Sequence, residues 1–156
     1  MNVMSRGVKI EADALFDEEL ALDSNFDAIV LPGGLGGAKA FQESQLLVSA
    51  LKRYLDNDQK IVGAICASPA VVLSYHDLLG KYQKVTGYPA FKDQIGDSKW
   101  SDEPVVRSGN LITSQGPGTS IPFSISLINA LFGEEKARDV YDPLAFSSKE
   151  FDEYIN

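Results

Sequence analysis

The sequence contains a single cysteine, Cys66, and a single histidine, His76. One cysteine excludes an internal disulfide, and one cysteine with one histidine is too small a ligand set for a structural zinc site. We therefore expect neither a metal nor a cofactor. Any function of Cys66 must come from the chemistry of its own sulfur.

Basic residues and long apolar runs are also scarce. The 14 basic and 22 acidic residues give a formal net charge of -8, which disfavours binding to nucleic acid or to an anionic membrane. No apolar run approaches the ~20 residues that span a bilayer, and the first ten residues lack the apolar core of a secretory signal. We expect a cytoplasmic protein. The length of 156 residues, 44% of them hydrophobic, and the absence of repeats or linkers predict one domain, residues 1–156.

Short apolar runs alternate with helix-like patterns along the chain. Buried strands are predicted at 28–31 and 60–65, a strand-like segment at 84–89, and a hairpin over 104–115 that turns at 108–110. Apolar residues spaced by three and four predict helices at about 38–55, 67–79, 121–132 and 134–141. This order is typical of a doubly wound α/β sheet, whose functional site lies beyond the carboxyl ends of the strands.

Cys66 stands at the junction of a predicted strand and a predicted helix. Such a junction is a strained elbow that requires small neighbours two positions away, and Ala64 and Ser68 meet that requirement. The unpaired N–H groups and the dipole of the helix would stabilise a Cys66 thiolate, which is both a nucleophile and a target for oxidation. A lone cysteine among alanine and isoleucine is also often a small buried apolar residue.

Two glycine-rich loops follow predicted strands. Gly33 and Gly34, together with the N–H of Ala67, could form an oxyanion hole, although the two glycines could also simply end a strand. Gly116 and Thr119 of the second loop could line the same pocket, but Gly-Pro-Gly is equally common in ordinary turns.

His76 is a poor candidate for the base that would activate Cys66. Ten helical residues separate the two, which corresponds to roughly 15 Å along the axis at ~1.5 Å per residue. We expect a structural or surface role for His76. An acid or base would then have to be a carboxylate, Tyr88, water or a group from outside the chain.

Five segments in this order resemble the ThiJ/PfpI superfamily and, within it, the DJ-one and YajL branch. They are "SRGVKI" (5–10), "FDAIVLPGG" (26–34), "AICASP" (64–69), "TSQGPGTSI" (113–121) and "GEEKA" (133–137). The resemblance covers nearly the whole chain. It implies a flavodoxin-like fold, a three-layer sandwich with a mostly parallel sheet and helices on both faces.

The resemblance also implies roles for individual residues. Cys66 matches the family's reactive, oxidation-sensitive cysteine, and Gly33, Gly34 and Ala67 match its oxyanion-type N–H groups.

Three further positions bear on the pocket and on assembly. Tyr88 falls where some relatives carry a histidine and others an aromatic residue, and Gln115 falls where some carry an arginine. Arg6 matches an arginine close to the family's dimer interface, so a homodimer is expected by analogy.

The sequence departs from the family pattern at its start. The family usually opens with a strand, a helix and a strand that supply a glutamate beside the cysteine, and no position here matches that glutamate. Without that unit we expect an unpaired sheet edge and exposed apolar faces. A shortened gene product, a segment supplied by another chain and a variant without activity are the three explanations.

The resemblance implies a cysteine-dependent glyoxalase or protein deglycase that acts on methylglyoxal or on its early protein adducts and has a role in oxidative stress. An alternative that needs no base is a redox sensor or holdase chaperone that responds through oxidation of Cys66. Amidotransferase-like or peptidase chemistry is a third option, and the lack of a histidine partner argues against it.

Overall fold

The structure is a computed structural model that describes residues 1–23, 25–145 and 148–155. The strands are β1 (Asn2–Val3), β2 (Lys9–Ile10), β3 (Ala28–Leu31), β4 (Ile61–Ile65), β5 (Val105–Ser108) and β6 (Leu111–Ser114). The helices are α1 (Glu18–Leu22), α2 (Leu35–Glu43), α3 (Gln45–Leu55), α4 (Lys92–Ile95), α5 (Ser120–Phe132), α6 (Glu134–Tyr141) and α7 (Ser148–Ile155).

The central sheet has the strand order β3-β4-β6-β5. Strands β3, β4 and β6 are parallel, and β5 joins β6 as an antiparallel hairpin partner. Because parallel strands bring their carboxyl ends to one rim of a sheet, the loops after β3, β4 and β6 lie side by side there. The predicted α/β class with a mostly parallel sheet is confirmed.

Helices cover both faces of this sheet. Val62 of β4 packs into a buried cluster with Leu51 of α3, whereas its neighbour Ile61 packs into another cluster with Phe123 of α5. Successive side chains of a strand point to opposite faces, so a strand buried on both sides is apolar at every position. This burial explains the continuous apolar run of residues 61–65.

One predicted helix is in fact two. The apolar spacing of 38–55 predicts a single helix, but the chain breaks at Ser44, which has an extended conformation with φ -80° and ψ 97°. The Ser44 Oγ accepts the N–H of Leu47 at 3.3 Å, so it caps α3 in the way typical of serine at helix starts.

Two other predicted elements are shorter than expected. The helix after Cys66 is a wide helical turn, Pro69–Ser74, in which the Tyr75 N–H donates to the carbonyl of Ala70 five residues earlier. The strand-like segment at 84–89 forms only one bridge, between Val85 and Trp100.

Glycine ends the elements where it was predicted to do so. Gly109, with φ 60°, turns the β5–β6 hairpin, and Gly133, with φ 85°, separates α5 from α6. Both angles lie in the left-handed region that glycine adopts without a steric cost. The sequence analysis did not predict the β1–β2 hairpin, α1 or α7.

Strand β3 forms an open edge of the sheet. In the described part of the chain, ten of the seventeen exposed large apolar side chains lie within the first 30 residues, and Val30 of β3 is 44% exposed. The β3 edge and the first 30 residues therefore carry exposed apolar surface in the described part of the chain. At the opposite edge, β5 carries the exposed charged residue Arg107, a common protection against edge-to-edge pairing.

Among the described residues, no helix combines the length and the hydropathy required to cross a bilayer.

Candidate active site

Cys66 occupies a strained elbow directly after β4. Its φ of 64° lies in the left-handed region, which costs a residue with a side chain about 1 to 3 kcal/mol. The Cys66 N–H donates to the carbonyl of Ser114 at 2.9 Å, and the Tyr88 N–H donates to the Cys66 carbonyl at 2.8 Å. These two bonds hold the elbow from both sides. The thiol is free and half-buried.

The loop after β3 lies directly against this elbow. A Cβ placed on Gly33 would lie 2.5 Å from the Cβ and 3.2 Å from the Sγ of Cys66, so only glycine permits this approach. The Ser68 hydroxyl donates to the carbonyl of Pro32 at 2.6 Å and ties the loop to the segment after Cys66. Ser68 itself is buried. The sequence analysis chose Ser68 for its small size, and the structure shows that its hydroxyl also holds the loop after β3.

Three backbone N–H groups in the Gly33–Gly34 loop and directly after Cys66 have no backbone acceptor in the described part of the chain. They belong to Gly33, Gly34 and Ala67, the predicted oxyanion residues. Gly34 has φ 93° and precedes the first turn of α2. Unpaired donors next to a nucleophile are the groups that can stabilise an oxyanion.

The helix that was expected to stabilise a Cys66 thiolate is only the wide turn Pro69–Ser74. Helical backbone bonds continue beyond this turn on both sides, since the N–H of Val71 donates to the carbonyl of Ala67 and the N–H of His76 donates to the carbonyl of Val72. Ionisation of Cys66 stays a prediction.

Two hydroxyl groups organise the loop after β6. The Ser114 Oγ lies 2.6 Å from the Oγ1 of Thr119, and the Thr119 Oγ1 accepts the N–H of Gly116 at 3.0 Å. Gly116 borders the site, since a Cβ placed on it would lie 3.7 Å from the ring of Tyr88. The predicted pocket residues Gly116 and Tyr88 are thus in contact range of each other. Sequence reasoning missed Ser114, whose only signal is a hydroxyl at the end of an apolar strand.

Tyr88 is 44% exposed and is joined to Cys66 through its backbone. Its ring lies 6.0 Å, centroid to centroid, from the ring of Phe91.

Two candidates lie outside this group of contacts. Gln115 donates from its side-chain Nε2 to the carbonyl of Asp102 at 2.9 Å, so it anchors the loop to the 102–104 segment. Arg6 is exposed, has φ 63° and lies in the turn between β1 and β2. Its expected role at a dimer interface stays a prediction.

His76 has a structural hydrogen bond. Its Nε2 donates to the carbonyl of Gln42 at 2.8 Å, which connects the end of the wide helical turn to α2. This contact agrees with the structural role expected from its distance along the chain.

A groove of about 550 Å³ runs between α2, the wide helical turn and α4. It begins at Leu35, next to the Gly33–Gly34 loop, and its walls include Ala70, Tyr75 and Phe91.

Among the described residues, no cluster of three or more His, Cys, Asp or Glu side chains could hold a metal ion.

Comparisons with known proteins identify the family. The profile of the DJ-1/PfpI family matches residues 1–130. The chain belongs to the DJ-1/PfpI family. It is 48% identical over 134 residues to Protein DJ-1 homolog B of Arabidopsis thaliana. This match covers 86% of this chain and 30% of that protein. The chain therefore spans about a third of the length of this relative.

Two other DJ-1/PfpI proteins match over most of their own length. The Glutathione-independent glyoxalase DJ-1 of Schizosaccharomyces pombe is 33% identical over 147 residues, covering 91% of this chain and 75% of that protein. The structure of oxidized Toxoplasma gondii DJ-1 superposes with a TM-score of 0.83 at 37% identity, covering 93% of this chain and 77% of the other. The expected fold and family are confirmed.

Proposed function

We propose that this protein is a cysteine-dependent glyoxalase or deglycase that acts on methylglyoxal or on its early protein adducts. The observation that supports it best is the left-handed Cys66, which lies against Gly33, in a loop and elbow where three N–H groups have no backbone acceptor among the described residues. The similarity to a relative named a glutathione-independent glyoxalase supports the reaction class.

The proposed reaction begins with attack of the Cys66 thiolate on the aldehyde carbon of methylglyoxal. A C–S bond forms, and the carbonyl electron pair moves onto oxygen, where the N–H groups of Gly33, Gly34 and Ala67 stabilise the charge. Protonation gives a hemithioacetal. Transfer of the C1 proton to C2, with movement of the C1 hydroxyl proton to the C2 oxygen, gives a thioester, and water cleaves it to lactate and releases the thiol. C1 is oxidised and C2 is reduced, so no external oxidant is needed.

The proton transfer is the step that this chain supports least. The backbone of Cys66 bonds to Ser114 and Tyr88, Gly33 lies against its side chain, and His76 is bonded to the carbonyl of Gln42. The Tyr88 hydroxyl or a water molecule is therefore our candidate for the shuttle. A dedicated acid or base typically contributes about 10²- to 10⁴-fold in rate, so a shuttle through Tyr88 or water predicts slow turnover.

Lactate formation tests this proposal. The purified protein is incubated with methylglyoxal, and lactate is measured over time beside Cys66→Ser and the matched hydroxyl variant Ser124→Ala. We expect lactate from the wild type and Ser124→Ala and none above background from Cys66→Ser. Turnover that survives in Cys66→Ser would contradict the mechanism, and no turnover in the wild type would contradict the proposed activity.

A second candidate is a redox sensor or holdase chaperone. It is favoured by the half-buried free thiol of Cys66, and the similar Toxoplasma gondii DJ-1 has been solved in an oxidized form. Mild peroxide should add two oxygens to Cys66, seen by intact mass, and the treated protein should slow the aggregation of a heat-denatured client. Oxidation without any effect on the client would remove the chaperone role.

We further propose that the protein acts in the cytoplasm as a homodimer, with a small aldehyde or glycated protein as its partner and without nucleic acid or membrane partners. The net charge of -8 supports the proposed absence of nucleic acid and membrane partners. Light scattering for the dimer and cell fractionation for the compartment test these expectations.

A further inference from the structure

The carbonyl that holds the Cys66 N–H belongs to a serine whose side chain is itself anchored. Ser114 is fully buried, and its hydroxyl lies within hydrogen-bond distance of the Pro104 carbonyl, at 3.0 Å, and of the Thr119 Oγ1, at 2.6 Å. The main chain of Ser114 therefore contacts the elbow while its side chain contacts the loop that follows β6.

Thr119 closes that loop onto its own beginning. Its hydroxyl accepts the Gly116 N–H at 3.0 Å and donates to the Gly116 carbonyl at 3.0 Å. A hydroxyl has one donor and two acceptor sites, so the Thr119 Oγ1 can also accept the hydroxyl of Ser114. All three bonds converge on one oxygen atom.

The same loop also approaches the residue on the other side of the elbow. A Cβ placed on Gly116 would lie 3.7 Å from the ring of Tyr88, and the Tyr88 N–H donates to the carbonyl of Cys66. Ser114 and Tyr88 therefore hold the two peptide groups of the strained elbow, and the Thr119 hydroxyl connects Ser114 to Gly116, the residue next to Tyr88. A left-handed residue keeps its conformation only when its surroundings fix it.

We propose that the hydroxyl groups of Ser114 and Thr119 are positioning groups for Cys66. They fix the loop 115–119, and through it they keep the Ser114 carbonyl and Tyr88 in place against the elbow. The inference deepens the proposed function, because it assumes that Cys66 is the reacting nucleophile, but it does not depend on which electrophile the thiol attacks.

Thr119→Val tests the proposal, because it keeps the shape of the side chain and removes its hydroxyl. Thr119→Ser, which restores the hydroxyl, is the rescue variant. Ser124→Ala is the matched control, since the Ser124 hydroxyl donates to the Ser120 carbonyl on the exposed face of α5. The first readout is the rate of Cys66 alkylation by iodoacetamide at fixed pH, followed by intact mass, and the second is kcat and KM for lactate formation.

We expect Thr119→Val and Ser114→Ala each to lower the alkylation rate about tenfold, since misplacement of a reacting group by about 1 Å costs up to ~10²-fold. Thr119→Ser and Ser124→Ala should stay within about twofold of the wild type. For lactate formation, kcat should fall while KM stays unchanged, because the substitutions affect the alignment of Cys66 and not the binding of substrate. The double variant should be about as slow as the slower single variant, because both substitutions break one connected unit.

The positioning role would be overturned if Thr119→Val were alkylated as fast as the wild type, or if Thr119→Ser did not restore the rate. Should Thr119→Val not fold, Ser114→Ala decides by the same criterion. A wild type that alkylates but forms no lactate removes the proposed enzymatic function, whereas the alkylation ratios still decide the role of the two hydroxyls.

Discussion

Gly33→Ala is the most direct test of the active-site geometry. The added Cβ would lie 2.5 Å from the Cβ of Cys66, whereas non-bonded carbon atoms prefer about 3.5 to 4.0 Å. The loop and the elbow must therefore separate by about 1 Å. We expect the alkylation rate of Cys66 to fall by about 10²-fold, and the free energy of unfolding to fall by about 1 to 3 kcal/mol from overpacking.

Gly37→Ala is a matched control from the same glycine-rich segment. Gly37 lies within α2, and a Cβ added there has no atom within 4 Å. Alanine is a better helix former than glycine, so this variant should gain about 0.5 to 1 kcal/mol and keep the wild-type alkylation rate.

The assay combines two measurements on each variant. Iodoacetamide labelling followed by intact mass gives the rate at Cys66, and urea denaturation gives the free energy of unfolding. If Gly33→Ala labels within twofold of Gly37→Ala and is equally stable, the close approach between Gly33 and the thiol does not control reactivity, and our reasoning is refuted.

Four other predictions test separate features of the structure. Burial, reinforced by two nearby aspartates, raises the pKa of Tyr82 from 10.0 to about 12. Between these values the folded state keeps a proton that the unfolded state has lost, so the free energy of unfolding should fall by about 1 to 2 kcal/mol as pH rises from 10 to 12, and urea titrations of Tyr82→Phe should show a smaller fall. Asn110→Ala should cost about 2 to 3 kcal/mol in the same titrations, because the buried amide binds carbonyls at the end of α3 and accepts the Tyr82 hydroxyl at 2.7 Å; a cost below 1 kcal/mol would argue against this network. Val30→Lys should reduce concentration-dependent association in light scattering, because it places a charge on the open edge, whereas Val140→Lys on α6 should not. His76→Gln should keep lactate formation within about twofold, and its loss would show that His76 is a base after all.

Local sequence rules predicted the parts of the fold that depend on neighbouring residues. The apolar run of β4 and the glycine that ends α5 were predicted correctly, because each reflects burial or backbone conformation at its own position. The break at Ser44 was missed, because the apolar spacing continues across it and serine is compatible with either a cap or a helix. The strand-like segment near Val85 was overestimated, because pairing depends on a partner that is distant in the chain.

The candidate site shows the same limit. Cys66 could be found from its position between a strand and a helix with small residues nearby, and its left-handed φ agrees with that reasoning. Ser114 could not be found in this way. Its contact with Cys66 follows from the parallel register that pairs Ile65 with Ser114, and register between distant strands is not visible in one sequence.

The order of the parallel strands separates the scaffold from its chemistry. The Cys66 turn follows the middle strand, β4, while the loops of Gly33 and Gly116 follow its two neighbours. Each loop begins only after its strand has ended, so its length and composition can change over evolution without altering the pairing of the sheet. New substrate preferences could thus arise from loop residues that do not contact the elbow, while Gly33 and Thr119, which fix its surroundings, are retained.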